Sequence, residues 1–247
     1  MKINNMVFMV GSGKMGFHWT HPSDCNVYLI YNRGELALID TGTGESVDEI
    51  CANVLSHGFS LRQIKKILLT HVHADHAGGA ALLKERTGAK VYVHYKAKDI
   101  LKHGNEDKID LSTAKRSGFY KLDYHFTPCT PDIVLRDGDT VSVGDLTLHV
   151  METPGHSAFD LSFYIKMGED NYLFSGDTIF SDGKISMIHT QDFDLHKLAN
   201  SIKKLAILDV DYLLPGHYHF TIQNGSEHIK IARKIFENMG IPNNINN

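Results

Sequence analysis

Residues 68–79 read LLTHVHADHAGG, which places His71, His73, Asp75 and His76 within six positions and two glycines behind them. Imidazole and carboxylate are the side chains that hold divalent transition metals. A single histidine after a strand is ordinarily a polar residue meeting water. Four ligand-type residues at this density need another explanation, and the pattern recurs. His156 follows Thr153-Pro154-Gly155, Asp177 follows Ser175-Gly176, His217 follows Pro215-Gly216, and Asp40 closes the apolar run LALI. Side chains at the ends of neighbouring strands converge on one edge of a sheet, where turns expose them on a rigid scaffold.

The number of ligands sets the number of ions. A zinc site takes three or four protein ligands. His71, His73, Asp75, His76, His156, Asp177 and His217 are too many for one ion and suffice for two, provided one carboxylate is shared. Asp177 is the natural bridge, because a carboxylate can give one oxygen to each ion. Nitrogen and oxygen ligation without thiolate suits two zinc ions, and also iron or manganese. Cys25, Cys51 and Cys129 form no Cys-x-x-Cys pair. Three or four protein ligands per ion leave a coordination position for water, the mark of a catalytic site. Two metals sharing a water lower its pKa towards ~7 and give hydroxide at neutral pH. Such a hydroxide attacks a carbonyl or phosphorus while one metal stabilises the oxyanion. Asp75 or a second water then carries a proton to the leaving group, with Asp75 and Asp177 the candidate catalytic carboxylates. Gly11-Ser12-Gly13 lacks the G-x-S-x-G of a nucleophile elbow, so no serine route competes.

The elements that must position these residues are legible as periodicity. Residues 6–10, 26–31, 36–40, 64–70 and 90–95 read as strands rich in Val, Ile, Leu and Tyr. Residues 46–58 and 79–88 have helical spacing and end at Gly58 and Gly88. Residues 140–153 predict a hairpin turning at Gly144-Asp145, and two more strands flank Gly168-Glu169-Asp170. Residues 195–208 form an amphipathic helix with Leu195, Leu198, Ile202 and Leu205 on one stripe. A strand at 210–216 and a last helix at 226–240, capped by Ser226 and Gly240, complete the pattern. The polar stretch 96–131 has weak periodicity and reads as a connection with some helix. Strands, helix, strands, helix in each half predict two sheets packed face to face with helices outside, in a single domain over 1–247.

Composition excludes several function classes. The chain has 247 residues, 42% hydrophobic and 22% charged, as in an ordinary globular protein. A net charge of -4 gives no footprint for nucleic acid. No apolar run approaches the roughly 18 residues of a membrane span. No signal-peptide pattern precedes the first strand, and the unpaired cysteines fit a reducing compartment, so the expected location is the cytoplasm.

With Asp40 in IDTG, the His71–His76 motif, His156 in TPGHS, Asp177 in SGDT and His217 in LPGH, the chain resembles the metallo-β-lactamase superfamily along nearly its whole length. The resemblance implies a four-layer αββα sandwich of two mixed β-sheets with helices on the outer faces, and a two-metal site at one edge of the sheets. It implies that His71, His73 and His156 hold the first metal, that Asp75, His76 and His217 hold the second, and that Asp177 bridges. Asp40 orients the site without ligating. The superfamily's β-lactamases lack an aspartate at the bridging position, so Asp177 points to the glyoxalase II and lactonase branches. Only 30 residues follow His217, from which the helical C-terminal domain of glyoxalase II is expected to be absent.

The function expected is therefore hydrolysis of a small ester, thioester or lactone by a binuclear centre. The alternatives are a persulfide-dioxygenase-like oxidoreductase with one iron, held by His71, His156 and Asp177, and a phosphodiesterase. Substrate contacts are expected from the loops. Phe17 and Trp19 are candidates from the loop at 11–25. Tyr120 and Tyr124 are candidates from the 96–131 connection, taken as a lid. His219 is a candidate beside the last ligand, and His189 a weaker one. The expected partner is a small molecule, with no nucleic acid and no membrane.

Overall fold

Val7–Gly11 (β1), Val27–Asn32 (β2) and Glu35–Ile39 (β3) are almost uninterrupted apolar runs, and nearly every residue in them is buried. Runs of this kind suit central strands covered on both faces. In the computed structural model, which describes residues 1–245, they form one side of a six-stranded mixed sheet. The sheet continues with Ile64–Leu68 (β4), Lys90–His94 (β5) and Ile133–Leu135 (β6). Its order is β1-β2-β3-β4-β5-β6. β1 to β3 pair antiparallel and β3 to β6 pair parallel.

The parallel crossovers carry helices, as parallel pairing requires. Val47–Ser56 (α1) lies between β3 and β4. Ala74–Ala77 (α2) and Ala80–Thr87 (α3) lie between β4 and β5. Gly88 ends α3 in the left-handed conformation, φ 74°. The 96–131 connection contains two short helices, Lys98–His103 (α4) and Leu111–Arg116 (α5), and leads into β6.

The second sheet has the order β11-β10-β9-β8-β7. Its strands are Thr140–Val143 (β7), Leu146–Glu152 (β8), Leu161–Met167 (β9), Asp170–Gly176 (β10) and Tyr212–Pro215 (β11). β8, β9 and β10 pair antiparallel, and β11 joins β10 in parallel. The crossover from β10 to β11 contains Leu195–Leu205 (α6). Gly225–Glu237 (α7) follows β11. The apolar stripe of α6 buries Leu198, Ile202 and Leu205 completely against Leu173, Leu213 and Ile229. Full burial of one such side chain is worth about 1.5–3 kcal/mol.

By contacts the chain forms two compact units, residues 1–135 with 142–145 and residues 136–141 with 146–247. Two mixed sheets with helices are the α/β class the sequence predicts. The expected caps of α7 differ at both ends, and Asn238, not Gly240, follows the last helical residue Glu237 as the C-cap. Asn224, not Ser226, sits at the N-cap of α7, and the Ser226 hydroxyl instead accepts from Val210 N at 2.7 Å. Among the described residues no helix is long and apolar enough to cross a membrane.

Candidate metal centre

In the first unit the ligand-type residues gather where β4 ends. The backbone leaves the sheet at Leu68, passes Thr70 and His71, and enters α2 with His73 at its N-cap position. The loop after β3 packs against this turn, backbone on backbone. Thr41 N and Thr41 Oγ1 both donate to His76 O, at 2.8 and 2.7 Å, and Gly79 N donates to Gly42 O at 3.0 Å. A Cβ on Gly79 would overlap Thr41 O, and one on Gly78 would overlap Thr43 O. The two glycines of HAGG thus permit the close approach of IDTG to the histidine turn.

All of these side chains are buried. His71, His73, Asp75 and His76 are between 0% and 8% exposed. Asp40 lies at the centre of their support. Its Oδ1 accepts from Thr70 N at 2.8 Å, and its Oδ2 accepts from Thr70 Oγ1 at 2.8 Å. His76 Nδ1 lies 2.9 Å from the same Oδ2. His71 Nδ1 lies 3.1 Å from Thr70 Oγ1. The acceptors assign the proton to Nδ1 in both rings, so each presents the lone pair of Nε2 as its ligand atom. Asp40 holds this position with a left-handed backbone, φ 63°, a conformation that costs a non-glycine residue of order 1–3 kcal/mol.

His71 Nε2 and His73 Nδ1 face each other at 3.1 Å. Two nitrogens bound tetrahedrally to zinc at 2.0–2.1 Å are roughly 3.3 Å apart, so this spacing suits one ion between them. Asp75 Oδ2 is 3.7 Å from His76 Nε2. Tyr120 holds the other oxygen of Asp75. Its hydroxyl donates to Asp75 Oδ1 at 2.8 Å and accepts from Asp75 N at 3.0 Å. Burial, and then the Asp75 charge, push the Tyr120 phenol well above the usual tyrosine range, so it stays a donor. Cys25 has its Sγ within 4.8 Å of ligand atoms on Asp40 and His76. Burial pushes its thiol up to about 12, and a metal ligand must be thiolate.

The second unit presents a matching set. His156 follows β8 through the Thr153-Pro154-Gly155 turn, Asp177 follows β10, and His217 follows β11. Each is no more than 3% exposed. Asp177 Oδ2 lies 3.5 Å from His156 Nε2 and 3.5 Å from His217 Nε2. His156 Nδ1 lies 3.2 Å from the carbonyl oxygen of Ser186, which assigns its proton and turns Nε2 towards Asp177. One carboxylate oxygen thus lies equally far from two buried imidazole nitrogens. Buried carboxylates are costly without a compensating cation. The donor types, spacing and tautomers of both sets therefore fit divalent ions.

The candidate substrate residues lie as follows. Phe17 and Trp19 are exposed, at 39% and 38%. His219 and His189 are exposed, and the His219 ring packs on Tyr218 at 3.9 Å. Tyr120 and Tyr124 are buried and stacked at 5.1 Å, and the Tyr124 hydroxyl donates to Thr43 O at 2.8 Å. Sequence reasoning did not single out Thr70 or the Ser186 carbonyl. Thr70 carries a signal, since it directly precedes His71. The Ser186 contact is made by backbone and carries none.

A fold of two mixed sheets with helices, holding buried sets of imidazoles and carboxylates at its strand ends, defines a metal-binding α/β protein. Residues 21–217 match the metallo-β-lactamase superfamily model, and the chain belongs to that superfamily. It is 29% identical over 185 residues to a hydroxyacylglutathione hydrolase of Francisella tularensis, covering 74% of this chain and 58% of that protein. It is 31% identical over 162 residues to the Rhodopseudomonas palustris protein of the same name, covering 66% and 51%. The chain thus spans little more than half the length of the curated relatives it matches. Among solved structures, a subclass B3 metallo-β-lactamase of Bradyrhizobium japonicum aligns with a TM-score of 0.72 at 24% identity, covering 97% of this chain and 91% of that one. The Cronobacter sakazakii metallo-β-lactamase with a HARLDQ motif aligns at 0.73 and 21% identity, covering 97% and 96%. These likenesses establish the fold.

Proposed function

We propose that the chain is a metal-dependent hydrolase of a small ester, thioester or lactone, working with two zinc ions. His71, His73 and His156 would hold one ion, Asp75, His76 and His217 the other, and Asp177 would bridge. The observation that carries this reading is Asp177 Oδ2, set 3.5 Å from a ring nitrogen of His156 and of His217. The relatives' name favours an acyl thioester among the three substrate classes.

Bound there, the two ions would supply Lewis acidity and acidify water to a pKa near ~7. The protein's own groups do the rest. Asp40 fixes the ring of His76, and Thr70 fixes that of His71. Asp75 keeps Oδ2 turned towards His76 while Tyr120 occupies Oδ1. The Asp75 carboxylate, or a second water, would pass a proton to the departing alcohol or thiol. Phe17, Trp19 and His219 are exposed and are the proposed contacts for a small substrate, whereas Tyr120 and Tyr124 are buried. A cytoplasmic location, with neither nucleic acid nor membrane as partner, belongs to the same proposal.

The test is metal analysis by mass spectrometry, followed by a panel of esters, acyl thioesters including glutathione thioesters, lactones and phosphodiesters on metal-defined protein. The expected result is about two zinc equivalents per chain and turnover of at least one acyl substrate class. One iron per chain with oxygen uptake, or metal loading without any acyl hydrolysis, overturns the reading.

A further inference from the structure

The phenol of Tyr120 touches one functional side chain, and it touches it twice. Its oxygen accepts the Asp75 N–H at 3.0 Å, and its proton goes to Asp75 Oδ1 at 2.8 Å. The ring is 7% exposed and stacks on Tyr124 with an interplanar angle of 16°. Tyr124 is itself pinned by its hydroxyl to Thr43 O, and Phe119 O accepts from Ser23 Oγ at 2.6 Å. The phenol therefore has little freedom to leave Asp75. One oxygen of Asp75 is taken by Tyr120, and the other lies 3.7 Å from His76 Nε2.

We propose that Tyr120 is a positioning residue for the metal centre: its hydroxyl holds Oδ1 of Asp75, so that the carboxylate presents Oδ2 alone to the second ion. This deepens the hydrolase reading and rests on it. A carboxylate turning freely about its terminal torsion would alternate between binding through one oxygen and through both. A phenol that donates to Oδ1 raises the cost of the two-oxygen mode by the strength of a buried, charge-assisted hydrogen bond. It also leaves the second ion with fewer protein oxygens, and so with room for water or substrate. Because Tyr120 also accepts the Asp75 N–H, it fixes the backbone from which that carboxylate projects. The placement of Tyr120 in the 96–131 connection then has a function beyond covering the site.

The test compares purified wild-type protein with Tyr120→Phe and Tyr92→Phe, titrated with cobalt(II) after metal removal. Tyr92→Phe is the control, since it deletes the hydroxyl of a buried tyrosine, 8% exposed in β5, that is neither a proposed ligand nor part of the Tyr120 contacts. In Tyr120→Phe the affinity for the second ion is expected to fall about 10–100-fold, as for other groups that orient a metal ligand. The first ion's affinity is expected to stay as in wild type. The visible bands of the second cobalt are expected to shift, and Tyr92→Phe to retain wild-type affinities and bands. In an Asp75→Ala background the same Tyr120→Phe change is expected to cost nothing further. The unmutated protein gives a second measurement: cobalt loading is expected to perturb the tyrosine ultraviolet bands, because the carboxylate that accepts the phenol takes an ion. Wild-type affinities and bands in Tyr120→Phe, or an equal loss in Tyr92→Phe, overturn the proposal and leave the hydrolase reading standing. A flat tyrosine difference spectrum on loading does the same. A wild-type protein that retains no divalent ion overturns both.

Discussion

At the scale of single residues, Asp177 carries the sharpest expectation. Its Oδ2 is equidistant, at 3.5 Å, from two buried imidazole nitrogens, so under the proposed ligand set one substitution should reach both ions. Asp177→Asn keeps the shape and removes the charge. We expect metal content to fall from about two equivalents to one or fewer, and acyl hydrolysis to fall by more than the roughly 10–100-fold typical of changes outside the ligands. Mass spectrometry of the purified variant, with a folded far-ultraviolet spectrum as control, reads the result. Two equivalents retained would show that Asp177 does not bridge. Residues of this kind were legible in the sequence because ligand types are few and their clustering is improbable. The role of Tyr120 was not. It lies 45 positions from Asp75, and a tyrosine in a polar stretch has no pattern that distinguishes a buried phenol from an exposed one. The three Nδ1 partners were mixed in this respect. Asp40 stood out as a carboxylate at a strand end, Thr70 was hidden by its ordinary side chain, and Ser186 contributes only its carbonyl.

At the scale of elements, glycine geometry ties the ligands to the frame. Gly155 precedes His156 with φ 144°, and a Cβ there would overlap the backbone of Leu198 at the start of α6. Asp194 N donates to Gly155 O at 2.9 Å, so the turn and the helix are built against each other. Gly155→Ala should destabilise the fold by more than the 1–3 kcal/mol that the backbone conformation alone costs, because the overlap is with backbone that cannot turn away. Urea unfolding followed by circular dichroism measures it, and a midpoint within error of wild type would show that α6 yields without cost. Most elements could be read from periodicity. The strands are runs of Val, Ile, Leu and Tyr, and α6 has its apolar residues on one stripe. The short pieces could not be read. β6 is three residues long and α2 is four, shorter than a period needs to declare itself. The N-cap of α7 falls on Asn224, two residues before Ser226, whose hydroxyl is engaged by the chain around Val210.

At the scale of the whole molecule, the proposed ions should contribute to stability as well as chemistry. Asp75 and Asp177 are 6% and 3% exposed, and removing the ions would take away the cations proposed to offset these buried carboxylates. An ion that binds the folded chain and not the unfolded one stabilises it by RT ln(1 + [L]/Kd), about 2.7 kcal/mol when free metal is 100 times Kd. In a chain of 247 residues, 1 kcal/mol corresponds to roughly 2–4 °C in Tm. Each ion at that saturation should therefore raise Tm by about 5–10 °C. Calorimetry on protein depleted with a chelator and dialysed, and on the same protein reloaded with zinc, measures the shift. The gain should grow with free zinc by about 1.4 kcal/mol per site for each tenfold increase, since linkage makes stability follow the logarithm of ligand concentration. Asp177→Asn should lose most of that dependence and Tyr120→Phe only the part due to the second ion. This ordering distinguishes ions held by the seven residues from ions adsorbed elsewhere, which neither substitution would affect. Equal zinc dependence in all three proteins would place the stabilising ions away from Asp177 and Asp75.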